Sequence, residues 1–157
     1  MSSTISDKVI EVNNLKNEFL SLGNKYRAKV KEVIRQYLVE HTAPIKETMP
    51  VNIKAEVSFC VQFDDEGYRV FYSQLLLEEN TQDEMGSAEI YKSLTPHNLN
   101  YPLNPEKDGY TDNASSELME VYKKYVDVLN KFNQFLGELD VVGEDSLLEP
   151  ETYIVVK

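Results

Sequence analysis

The sequence predicts an α+β fold in two layers, and three patterns carry that prediction. Apolar residues recur at helical spacing over residues 5–40 and again over 115–139, and they alternate strictly with polar residues over 51–63. A helix, an antiparallel hairpin or meander, a second long helix and a short terminal strand, in that order, pack as helices against a sheet. A chain of 157 residues fits one domain, 1–157, and can bury roughly two thirds of its unfolded surface.

In the first helix Ile5, Val9, Val12, Phe19, Tyr26, Val30, Val33 and Tyr37 follow steps of three, four or seven, with Leu15 and Leu22 beside them. In a heptad register the d positions Ile5, Val12, Phe19, Tyr26 and Val33 are all apolar. The a positions, Val9, Lys16, Gly23, Val30 and Tyr37, are mixed. Gly23-Asn24 is a place where a helix can end, but the apolar phase crosses it unchanged, so one helix is expected over 5–40. It would be about 50 Å long, more than a small domain usually covers.

Pro44 and Pro50 then predict a connection. Val51, Ile53, Ala55, Val57, Phe59, Val61 and Phe63 alternate against Asn52, Lys54, Glu56, Ser58, Cys60 and Gln62, the pattern of a strand with one buried face. Asp64-Asp65-Glu66-Gly67 is a turn, and Tyr68 to about Leu77 returns, giving a hairpin over 51–77. Ala88 to Leu94 is read as a third strand. Residues 95–113 hold Pro96, Pro102, Pro105, Gly109 and four Asn, which predicts a long loop of the kind that is often functional. Asn113 or Ser115 can cap the helix over 115–139, in which Leu118, Tyr122, Tyr125, Leu129, Phe132, Leu136 and Leu139 step by four and three. Gly143 ends it, and Tyr153-Ile154-Val155-Val156 reads as a strand over 153–156.

Charge is divided unevenly along the chain. Residues 1–63 hold nine Lys/Arg against seven Asp/Glu, whereas residues 64–157 hold seven against twenty, and the whole chain carries −11. Such an acidic segment repels nucleic acid and anionic membrane and attracts basic surfaces within about 8 Å in physiological salt. Neither direct nucleic-acid binding nor membrane association is therefore expected. The basic run Lys25, Arg27, Lys29, Lys31 and Arg35 sits on an amphipathic helix without interleaved stacking aromatics, so it reads as a solvated or docking face. With no apolar leader, no long apolar stretch and one cysteine, Cys60, the expected location is the cytoplasm. Thirteen Lys beside three Arg and twelve Asn are typical of AT-rich coding sequences, as in many phages, where the location would be the host cytoplasm.

No catalytic, cofactor or metal constellation stands out. Asp64, Asp65 and Glu66 cluster, but Asp and Gly are ordinary turn residues. Asn104, Glu106, Asp108, Gly109 and Asp112 approach a calcium-loop pattern, yet the twelfth position, where a bidentate Glu belongs, is Ser115. His41, His97 and Cys60 lack the partners that a nucleophile pair or a zinc site needs.

The expectation is therefore a non-catalytic, acidic protein-interaction module, an inhibitor or regulator that docks on a protein partner with a basic surface. The candidate partner-binding residues are Glu78, Glu79, Asp83, Glu84, Glu89, Asp108, Asp112, Glu144 and Asp145. Two long apolar seams in a small chain also predict a homo-oligomer, most simply a dimer, through Phe19, Tyr26, Val30, Val33, Tyr37, Tyr122, Tyr125, Leu129 and Phe132. Two alternatives are a nucleic-acid mimic that blocks a DNA- or RNA-binding protein, and a small ligand-binding protein or enzyme that uses the 95–113 loop. In gross properties alone the chain is similar to small acidic adaptors, secretion chaperones and phage-encoded inhibitors.

Overall fold

Helix α1 runs without interruption from Ile5 to Thr48. The computed structural model describes residues 4–80, 88–94, 115–142, 146–150 and 152–157, with side chains described at 89–91 only within 88–94. At the start of α1, Thr4 Oγ1 accepts from the Asp7 N–H at 3.2 Å, and the Asp7 carboxylate accepts from the Thr4 N–H at 3.3 Å. This reciprocal capping box satisfies two amide donors that would otherwise lack partners. The helix crosses Gly23, as the continuous apolar phase predicts. It also crosses Pro44, where the sequence predicted a connection. Proline removes one helical N–H, but Glu40 and Pro44 are both exposed, so water can reach the carbonyl that this frees.

Strand β1 (Ile53–Phe63) pairs antiparallel with β2 (Arg69–Glu79), in register from Ile53↔Glu79 to Phe63↔Arg69. The strand begins two residues later than the alternation predicts, and Val51 is fully exposed. Strand β3 (Ala88–Leu94) adds to β2, and β4 (Tyr153–Val156) adds to the far edge of β1, which gives the antiparallel order β3-β2-β1-β4. The hairpin turn is held by the Asp64 side chain, whose Oδ1 accepts from the N–H groups of Glu66 and Tyr68 at 2.9 and 2.8 Å. Gly67 takes the positive φ, 87°, that the turn requires.

Helix α2 (Ser116–Leu139) is capped by Ser115, whose Oγ accepts from the Leu118 N–H at 3.0 Å. It ends on Asp140, in the left-handed conformation at φ 56°. Its apolar stripe, Leu118, Tyr122, Tyr125, Leu129, Phe132 and Leu136, is buried throughout. The stripe meets the sheet face formed by Val57, Phe59, Val61, Phe71, Leu75 and Leu77, together with Ile34 and Leu38 of α1. Phe132 contacts Phe59 edge to face at 6.0 Å, and Phe135 stacks on Tyr37 at 4.3 Å. Both helices therefore cover one face of the sheet in a single two-layer α+β domain. Each fully buried Leu, Val, Ile or Phe contributes about 1.5–3 kcal/mol to that packing.

Candidate functional site

Only the second half of α1 belongs to the core, through Val30, Ile34, Leu38, Thr42 and Ile45. Every residue from Thr4 to Lys29 is exposed except Gly23 and Arg27, which are half-buried. The Arg27 guanidinium lies over Gly23, donates to Asn24 Oδ1 at 2.6 Å and sits 3.7 Å from the Glu149 carboxylate. This contact ends the packed part of the helix. Beyond it the apolar stripe continues with nothing among the described residues against it: Phe19 is 73% exposed, Leu22 68%, Leu15 63% and Val12 62%.

That distribution divides the residues expected to mediate self-association. Phe19 and Tyr26 are exposed and remain available, and Val33 and Tyr37 are half-buried. Val30, Tyr122, Tyr125, Leu129 and Phe132 are buried within this chain's own core, so they cannot offer a surface to another molecule. The second seam is internal because α2 packs beside α1 on the same face of the sheet, with its stripe turned onto that face and onto α1.

The basic run is divided in a similar way. Besides the Arg27 contact, Arg35 Nη1 donates to the Val155 carbonyl at 3.1 Å, which ties α1 to β4. Lys29 pairs with Glu32 at 3.5 Å along the helix. Lys25 and Lys31 have no ion pair among the described residues.

Among the acidic candidates, Glu78 and Glu89 are exposed and stand opposite each other across β2 and β3. Like charges at opposed positions repel, and Lys54, opposite Glu78 on β1, offsets part of this. Glu79 is not a surface residue: it is buried on the core face. Period two along β2 places it on the side of Leu75 and Leu77, where its Oε2 accepts from Ser115 Oγ, the cap of α2. Asp83, Glu84, Asp108, Asp112, Glu144 and Asp145 lie outside the described residues, as do His97, the 95–113 loop and the calcium-like pattern up to residue 114.

A groove of about 450 Å³ opens where β1 runs past the end of β4. Met49, Ile53, Ala55 and Leu76 supply apolar walls, with Lys46, Lys54, Glu56 and Glu78 around them. Mixed charge and an apolar floor suit a short segment of chain better than a single ion.

Among the described residues, the one histidine and the one cysteine are occupied or shielded. His41 stacks on Tyr37 at 3.8 Å, and its Nδ1 lies 2.9 Å from the Tyr37 carbonyl. Cys60 is buried between β2 and β4, and burial pushes its thiol above the ordinary range, away from the reactive thiolate. Among the described residues no three His, Cys, Asp or Glu side chains are grouped to share a metal ion, and no helix is long and apolar enough to cross a membrane. The chain matches no family model, no curated protein and no solved structure.

Proposed function

We propose that this chain is a non-catalytic protein-interaction module, with the free half of α1 as its docking element and an acidic body that inhibits or regulates a basic protein partner. The observation that carries this reading is the stripe Val12, Leu15, Phe19, Leu22 and Tyr26, exposed on a helix whose second half is firmly packed. Large apolar side chains contiguous along one helix face, rimmed by charge, mark a binding surface, because water disfavours them and a folded monomer normally hides them. The packed half of α1 fixes the direction of the arm, so the arm is presented on a rigid body.

The test is retention of binding partners by the immobilised full chain, compared with Phe19→Asp and with the double reversal Glu78→Lys/Glu89→Lys. Loss of stoichiometric binding in either variant, with unchanged melting, supports a module of this kind. Equal retention by all three proteins removes the basis for the reading.

A further inference from the structure

We infer that the occupant of the α1 arm is a second copy of this chain, lying antiparallel to it along residues 5–29. This inference rests on the arm being a docking element, and it names what docks there.

The exposed area is of the size that a weak, concentration-dependent dimer needs. A fully exposed side chain of this kind carries about 60–120 Å² of removable apolar surface, from the usual 1.5–3 kcal/mol per buried side chain at about 25 cal/mol per Å², and Ile5, Val9, Val12, Leu15, Phe19, Leu22 and Tyr26 are between 38% and 81% exposed. Scaled by that exposure, the seven reach roughly 250–500 Å² per copy, against about 800 Å² per partner in a standard specific interface, which is the range of a weak pairing. The steps of three and four from Val12 to Tyr26 keep the stripe facing one neighbour along a left-handed supercoil. With residue 17 at the two-fold axis, Val12 packs against Leu22 of the second copy and Leu15 against Phe19 of the second copy.

Charge selects the antiparallel orientation. At about 100° per residue, Asp7, Glu11, Glu18, Lys25 and Lys29 all fall on one flank of the stripe, with the acids towards the N-terminus and the bases towards the body. Antiparallel pairing lays that flank against itself in reverse, so Glu11 faces Lys25 and Asp7 faces Lys29 in both halves of the dimer. Two like pairs, Glu18 with Glu18 and Lys16 with Lys16, fall near the axis. Parallel pairing would also set the two bodies side by side, although each holds seven Lys/Arg against twenty Asp/Glu over residues 64–157. Antiparallel arms hold the bodies about 37 Å apart, several Debye lengths in physiological salt.

Sedimentation equilibrium of the full chain from low to high micromolar concentration tests the pairing. The expected mass tends to twice 18.1 kDa, and Phe19→Asp stays at the single-chain mass with the melting temperature of the dilute parent. Lys25→Glu weakens association about tenfold at low salt, and adding Glu11→Lys restores it. A nitroxide on Ser6→Cys in a Cys60→Ser background reads the orientation: labels about 33 Å apart support antiparallel arms. Labels about 10–15 Å apart, a dimer indifferent to Phe19→Asp, or a chain monomeric throughout would overturn the inference. A monomeric chain that still loses a different protein on Phe19→Asp would overturn the inference while leaving the interaction-module reading in place.

Discussion

Leu22 and Leu38 lie in the open and the packed half of the same helix, and truncating each to alanine separates the two roles of α1. Leu38 is fully buried in the core and Leu22 is 68% exposed. Leu38→Ala leaves a cavity between α1 and its neighbours and costs about 2–5 kcal/mol of stability at any protein concentration. Leu22→Ala removes three carbons worth about 2.4 kcal/mol if all become buried. Covering the 68% of Leu22 that is open makes the loss about 1.6 kcal/mol per copy, or about 3 kcal/mol across a two-fold pair. That corresponds to a dissociation constant raised on the order of 100-fold. In the dilute single chain the same change is neutral or slightly stabilising, because alanine is the better helix former. Urea unfolding of both variants at low micromolar concentration, followed by sedimentation at high concentration, measures each quantity. A Leu22→Ala variant that loses stability like Leu38→Ala when dilute, or that associates as tightly as the parent, would refute this division of the helix.

Three further outcomes follow from the body. Ser115→Ala removes the cap of α2 and the donor to the buried Glu79 carboxylate, and is expected to cost about 1–3 kcal/mol in urea unfolding. Tyr125 has no hydrogen-bond partner for its hydroxyl among the described residues, and burial pushes its pKa up to about 12. An unfolded tyrosine ionises near pH 10, so the folded state holds its proton more tightly. The contribution is complete below pH 10 and is lost between about pH 10 and 12, by at most about 3 kcal/mol. Tyr125→Phe should flatten that alkaline decline and leave neutral stability equal or higher, read from melting temperature against pH. Asp140 holds a left-handed conformation at the end of α2, so Asp140→Gly should stabilise the chain by about 0.5–1 kcal/mol in the same unfolding assay.

The α+β class and the element order were legible because the period of two over Val57, Phe59 and Val61 and the steps of three and four in α2 leave little choice of structure. Glu79 was misplaced although its signal was present. Extending the alternation Leu75, Leu77, Glu79 by one step puts it inside, and composition had argued it outside. Pro44 misled because proline ends most helices, and the exposure that makes it tolerable depends on where the neighbouring elements pack. The partition of the apolar stripe at Arg27 has no sequence signal. Periodicity reports which face of a helix avoids water and says nothing about whether this chain or another one covers it. For that reason the arm and the packed half of α1 look alike in the sequence and differ entirely in burial.

Amide hydrogen exchange across α1, measured at low and at high protein concentration, tests most directly whether the arm is a binding surface. Most helical stability in proteins comes from tertiary packing, which residues 8–26 lack among the described residues. Arm pairing therefore predicts rapid exchange over residues 8–26 in dilute solution and strong protection when concentrated, with residues 30–45 protected equally in both. Rapid exchange over the arm at every concentration, or protection independent of concentration, would contradict it.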